Sequence, residues 1–133
     1  MLATLPACPT QAFIGGHWCD AQDGRRFDVT NPATGAVIAS VADCGVTETR
    51  AAIAAARAAQ AGWAALPAGQ RGAILRRWRD LMVERADELA LILTRENGKP
   101  LTEARGEILY GAAYLEWFAE EAKRIYGEII PSA

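Results

Sequence analysis

The chain reads as a mainly α protein in which two short N-terminal β-hairpins precede four helices. Three observations predict this. Turn-forming residues at Gly15-Gly16 and Asn31-Pro32-Ala33-Thr34-Gly35 divide the N-terminal region into short alternating runs. From Thr47 onward the apolar spacing becomes helical. Lastly, Ile108, Ala112, Leu115, Ala119, Ala122 and Tyr126 alternate steps of four and three, drawing one stripe down a long helix.

Residues 1–11 read as a flexible tail. The opening Met1-Leu2-Ala3-Thr4-Leu5-Pro6-Ala7-Cys8 has no basic start and too short an apolar core for a signal peptide. Phe13-Ile14 and His17-Trp18 flank Gly15-Gly16, whose freedom at positive φ suits a tight hairpin. Phe27 to Thr30 and Ala36 to Val41 form the second strand pair around the Asn31–Gly35 turn.

Thr47 is the expected cap of the first helix, with Glu48 favourable in its first turn. An alanine-rich run from Ala51 to Ala61 favours helix, and Ile53, Ala56, Gln60 and Trp63 follow one face. After Pro67 and Gly69, a second helix sets Ile74, Leu75, Trp78, Leu81 and Met82 inward and Arg71, Arg76, Arg77, Arg79 and Glu84 outward. Asp87 is the expected cap of a third helix, with Leu89, Ile92 and Leu93 inward and Gly98 as its left-handed stop. The long fourth helix is expected from Thr102 to Tyr126, roughly 37 Å at about 1.5 Å per residue. Short connections predict antiparallel succession, each helix against the next. Trp63, Trp78 and Trp117 are expected to pack between helices, Trp18 less so.

Composition places the chain among ordinary globular proteins, at 51% hydrophobic and 23% charged residues over 133 positions. A formal net charge of −2 advertises neither a nucleic-acid nor an anionic-membrane surface. No apolar run approaches the roughly 20 residues that span a bilayer. Cys8, Cys19 and Cys44 give no metal spacing and read as free thiols of a cytoplasmic protein.

Glu96-Asn97-Gly98-Lys99-Pro100-Leu101 is followed by Tyr114-Leu115-Glu116-Trp117-Phe118-Ala119-Glu120-Glu121-Ala122-Lys123-Arg124 and Tyr126-Gly127-Glu128. These motifs resemble the aldehyde dehydrogenase superfamily, most of all its NAD(P)-dependent succinate-semialdehyde dehydrogenase branch. The similarity runs from about Phe13 to Pro131. It implies an aldehyde dehydrogenase-like α/β parent fold, of which residues 1–133 resemble an incomplete N-terminal portion of the cofactor-binding domain. It also implies NAD or NADP as the parent's cofactor, an aldehyde substrate and a homo-oligomer. In the family a cysteine thiolate attacks the aldehyde, hydride passes to the nicotinamide, and water releases the acid. No position here matches the family's catalytic cysteine, catalytic glutamate, oxyanion asparagine or nucleotide-contacting lysine. The resemblance therefore implies no catalytic, cofactor-binding or metal residue in this chain, no tight cofactor binding and no activity of the chain alone. Glutarate semialdehyde is the alternative substrate, and a noncatalytic helical interaction module is the alternative role.

The residues themselves agree. His17 reads as an exposed turn residue, and Ser40 and Ser132 lie in no nucleophile elbow. No glycine fingerprint follows a strand, and Lys99 has no glycine cradle that would make it a phosphate ligand. Gly106 and Gly111 sit mid-helix, where each costs about 1 kcal/mol relative to alanine. They imply either close packing or space for a ligand channel. In the family this helix borders the aldehyde entrance tunnel, which makes Gly106 and Tyr110 the substrate-facing candidates, with Gly111 and Tyr114 as neighbours. Glu120 is expected to pair with Lys123 and Arg124 along the helix, while Glu116 and Glu120 repel mildly.

Overall fold

The computed structural model describes residue 6 and residues 8–131. Of the expected tail, residues 1–5 and 7 lie outside the described residues. Its last positions are tied down: the Thr10 carbonyl accepts from Ala42 N–H at 2.9 Å, and Gln11 Nε2 donates to Asp20 at 2.8 Å.

Strands β1 (Ala12–Ile14) and β2 (His17–Cys19) pair antiparallel, with Ile14 opposite His17. Gly15 and Gly16 turn between them at φ +59° and +88°, the signs that a two-residue hairpin matched to strand twist requires. Across this hairpin the Phe13 and Trp18 rings lie 5.0 Å apart. Strands β3 (Arg26–Thr30) and β4 (Val37–Ala42) form a separate antiparallel pair. Its turn is closed by Asn31, whose Oδ1 accepts from Ala33 N–H at 2.9 Å while its carbonyl accepts from Gly35 N–H at 2.7 Å.

Helix α1 spans Val46–Ala65, α2 Ala68–Glu84, α3 Ala86–Asn97 and α4 Leu101–Glu121. Several expected details differ. Gly45, not Thr47, precedes the first turn of α1, and Glu48 reaches back to accept from Gly45 N–H at 2.7 Å. Arg85, not Asp87, flanks the start of α3; Asp87 lies in the first turn and accepts from Arg105 Nε on α4 at 2.7 Å. Gly98 does end α3 in the left-handed region at φ +87°, its N–H donating to the Thr94 carbonyl at 2.9 Å. A Cβ there would also lie 2.9 Å from Pro32 Cγ, so the second hairpin's turn is seated against this junction.

The helices do not pack in simple succession. Helix α4 lies against both α2 and α3, while α1 rests mainly against β1. The extended backbone of Leu66 and Pro67, at ψ 139° and 142°, separates α1 from α2. Arg71 reaches back across that break, donating to the carbonyls of Ala64 and Leu66. On α1 the half-buried positions include Ala52 and Ala55 rather than Ile53, which is 63% exposed. Small side chains let the hairpin approach: a Cβ on Gly15 would sit 3.8 Å from Ala55 Cβ.

The α2–α4 contact is antiparallel and close. Gly72 is buried, and a Cβ there would lie 2.7 Å from the Ala119 carbonyl oxygen. Farther along, a Cβ on Gly111 would lie 3.7 Å from Met82 Cε. This face of α2 thus includes Gly72, Leu75 and Met82, whereas Ile74, Trp78 and Leu81 of the expected inward face are exposed. Arg76 and Arg79, expected outside, turn toward α4 and bond Glu120 at 2.7 Å and Glu116 at 3.3 Å. The repulsion expected between those two glutamates is offset by these arginines. Arg124 pairs with Glu121 rather than with Glu120.

Helix α4 ends at Glu121, about five residues before the expected stop. Ala119 is its last buried residue and faces Gly72, only about one turn from the start of α2. Beyond that point α2 offers no surface, and Tyr126 of the expected stripe is 79% exposed. Lys123 and Arg124 N–H groups close the end by bonding the Glu120 and Glu121 carbonyls. No helix among the described residues is long and apolar enough to cross a membrane.

Candidate functional site

One side of α4 is held by the bundle, which leaves the other to present side chains outward. Tyr110, Gly111 and Tyr114 line one open groove with Ile108 and Glu107 of α4, Met82 of α2, and Leu89, Ile92, Leu93 and Glu96 of α3. Its apolar floor follows from the α3 periodicity, which sets Leu89, Ile92 and Leu93 on the side toward α4. Met82 Cε stands 3.7 Å from where a Cβ on Gly111 would lie. Gly106 does not line this groove; it lies one helical turn before Tyr110, and a Cβ there would meet nothing within 4 Å. A Cβ on Gly111 would make only an ordinary contact with Met82, so close packing demands a glycine at neither position.

The two tyrosines form a unit. Their hydroxyl oxygens are 2.7 Å apart, and their rings meet edge to face with centroids 5.0 Å apart. Four-residue spacing on a helix makes this meeting possible. The bond to Tyr110 raises the Tyr114 phenol above its ordinary value, helped by the potential negative charge on Tyr110 and by partial burial. Tyr114 accordingly stays neutral and remains a donor at physiological pH. It also borders a second apolar groove, shared with Ala113, Trp117 and Phe118. Glu107, at the rim of the first groove, is held by Lys99. That pair gives Lys99 a role at the helix junction without any phosphate.

The tryptophans are not the packed residues the sequence suggested. Trp78 is 56% and Trp117 62% exposed, and Trp63 is also partly open. Trp78 and Trp117 are thus more than half open, and Trp63 only in part.

The remaining candidate chemistry disperses. His17 is exposed beside its turn. Ser132 lies outside the described residues. Burial, then the nearby Glu48 carboxylate, raises the Cys44 thiol above its usual range, the opposite of an activated nucleophile. No cluster of three metal-ligating side chains occurs among the described residues.

A dinucleotide pyrophosphate would need unpaired amides at a helix N-terminus. The start of α1 borders a polar cleft lined by Gln22, Asp23, Arg25, Gly45, Val46, Thr47 and Glu48. Glu48 already accepts from Gly45 and Gln22 N–H at 2.7 and 3.0 Å. Those two amides, in that order, hold its carboxyl below the usual range, so it stays charged. A phosphate would meet a carboxylate there, and this cleft does not fit the cofactor.

The chain belongs to the aldehyde dehydrogenase family, whose sequence profile matches residues 18–133. It is 58% identical to the glutarate-semialdehyde dehydrogenase of Pseudomonas putida KT2440 over 121 residues, covering 91% of this chain and 25% of that protein. Over the same length it is 56% identical to the NADP(+) succinate-semialdehyde dehydrogenase GabD of Escherichia coli K12, again covering 91% of this chain and 25% of that protein. Its fold matches the crystal structure of a succinate-semialdehyde dehydrogenase from Burkholderia pseudomallei with a TM-score of 0.89 at 53% identity, over 92% of this chain and 25% of that one. The chain thus spans about a quarter of the length of these relatives.

Proposed function

We propose that this chain supplies the N-terminal portion of the cofactor-binding domain in an NAD(P)-dependent semialdehyde dehydrogenase. Its activity is the oxidation of succinate semialdehyde to succinate. The observation carrying this reading is identity above 50% to named semialdehyde dehydrogenases across nearly the whole chain. Glutarate semialdehyde is the second reading, favoured by the 58% identity to an enzyme named for it. The catalytic cysteine and the cofactor site belong to segments beyond those described. Within this chain, the face of Gly106 and Tyr110 borders the aldehyde's route, with Gly111 and Tyr114 shaping the groove beside it. Exposed apolar side chains on α2 and α4 support burial against further protein, either the rest of the enzyme or a second copy in a homo-oligomer. Three free thiols are in keeping with a cytoplasmic setting.

The first test is to read the coding DNA past Ala133 for the catalytic segments. The complete enzyme is then assayed by NAD(P)H absorbance with succinate and glutarate semialdehydes. The purified 133-residue chain should show no turnover and weak or no NAD(P)+ binding by calorimetry, since hydride transfer needs a positioned nicotinamide and thiohemiacetal. Turnover by a contaminant-free sample of that chain, or tight stoichiometric cofactor binding, overturns the reading.

A further inference from the structure

We infer that Asn97 is a site of spontaneous deamidation, in which the Gly98 backbone nitrogen closes a succinimide ring on the Asn97 side chain when the last turn of α3 opens.

The reaction needs an accessible side-chain amide, a following backbone nitrogen with a proton to lose, and no side chain crowding that nitrogen. The chain has two asparagines and one Asp-Gly step, where the related ring closure could start. Asn31 is followed by Pro32, whose nitrogen carries no proton. Its side chain is also buried and accepts from Ala33 N–H at 2.9 Å. At Asp23-Gly24 the carboxylate accepts from the Arg25 backbone N–H at 3.0 Å and from its guanidinium at 2.7 Å. Those bonds, the backbone one first, hold the carboxyl below its ordinary range, and a charged carboxylate resists attack. Asn97 meets all three requirements: it is exposed, and the residue after it is a glycine.

Position restrains it. Asn97 is the last residue of α3, and the Gly98 N–H donates to the Thr94 carbonyl at 2.9 Å. A nitrogen in that bond keeps its proton. Helix ends open at far lower cost than a core does. Once the bond opens, the Gly98 nitrogen gives its proton to solvent base and bonds to Asn97 Cγ. The Cγ–Nδ2 bond breaks, and the amide nitrogen leaves as ammonia. Water then opens the ring at either carbonyl, leaving an aspartyl or an isoaspartyl linkage. Either product sets a new carboxylate beside Glu96 at the negative end of the α3 dipole. The isoaspartyl form also adds a methylene to the main chain just before Gly98, whose left-handed turn seats the Pro32 ring. The modification therefore loosens the junction of α3, α4 and the second hairpin.

The test ages the 133-residue chain at mildly alkaline pH, in urea below and above its unfolding midpoint. Trypsin then cuts after Arg95 and Arg105, since the Lys99–Pro100 bond resists it, and releases residues 96–105 for mass spectrometry. The expected result is the mass gain of amide-to-acid conversion in that peptide, split between two separable products. Conversion should be about ten-fold faster above the midpoint than below it. Asn97→Gln, which must close a larger ring, should leave the peptide unconverted on the same timescale. No conversion below the midpoint, with conversion above it, overturns the inference by making the helix end a complete block. Equal rates on both sides of the midpoint remove α3 from control and overturn it too, as does conversion at Asn31 in place of Asn97.

Discussion

Helix α4 has two faces built from opposite kinds of side chain. The face toward the bundle buries Ala104, Ala112 and Ala119, at 0%, 2% and 0% exposure. The opposite face carries Tyr110, Tyr114, Trp117 and Phe118, at 64%, 50%, 62% and 56%. A helix chosen only to stabilise this chain would put its large apolar groups inside, since buried area sets the hydrophobic gain. Here the inner face is specialised for close approach and the outer face for contact with something else. Small residues contribute little buried area, but they let the α4 backbone come near α2, which fixes α4 in place. The aromatic side chains are then displayed at defined positions.

The comparison breaks most decisively at the inner face. Gly72→Val directs a Cβ to within 2.7 Å of a backbone carbonyl, which cannot swing aside as a flexible side chain would. Stability of the chain should fall by about 3 kcal/mol, read from the urea midpoint at unchanged slope. A wild-type midpoint would show that the α2–α4 approach is looser than the structure has it.

Gly98→Ala comes next. It places a Cβ at φ +87° and against the Pro32 ring. The expected loss is about 1–2 kcal/mol from the left-handed backbone, plus the displaced hairpin turn. Loss of amide-exchange protection at Thr30 to Gly35 along with the end of α3 would show that the two move together. A silent variant would detach the hairpin from the bundle.

On the outer face the effect on folding should be far smaller. Trp117→Ser with Phe118→Ser removes large exposed groups that the bundle does not use, so stability should change by no more than about 0.5 kcal/mol per site. Sedimentation velocity should show weaker self-association at the same protein concentration. A large loss of stability instead would make this face part of the core.

How much of this was legible in the sequence depended on the range of the interaction. The Gly15-Gly16 hairpin and the Gly98 stop follow from backbone angles, which a few neighbouring residues dictate. The alanine stripe of α4 follows from periodicity. Gly72 is not legible from its neighbours in sequence, because a glycine's value in close packing depends on which backbone faces it. A pairing of Gly72 with the Ala112–Ala119 stripe was the available signal. The inward face of α2 differs from the expected one because Ile74, Trp78 and Leu81 form a regular apolar stripe of their own, but one that stays exposed. Arg76 and Arg79 looked solvent-facing for the same reason: their glutamate partners lie some forty residues on. For the candidate site, Tyr110 and Gly106 came from family resemblance alone. The Tyr110–Tyr114 spacing was on view, but the hydroxyl bond depends on ring orientation.

The border between the two faces provides the finest test. Glu120 sits there, with its carboxylate bonded by Lys123 from its own helix and by Arg76 from α2. The Lys123 hydrogen bond chiefly, with the charges of Lys123 and Arg76 behind it, holds its carboxyl below the ordinary glutamate range, against the opposing effect of burial. A carboxyl whose folded-state value is depressed binds its proton more readily in the unfolded chain. Its contribution is therefore fully present above the unfolded-state value and is lost as pH falls through the folded one. Stability measured from neutral pH down into the acid range should decline, and Glu120→Gln should make that decline shallower, because it removes the contribution at pH 7 and changes little once the carboxyl is protonated. Both partners are partly exposed, so high salt should shrink the difference between the two proteins. Arg76→Met should reproduce only part of the Gln effect, since Lys123 remains. An equal effect of the two substitutions would mean that Arg76, across the helix interface, is the dominant partner, and that the border of α4 is held chiefly by α2.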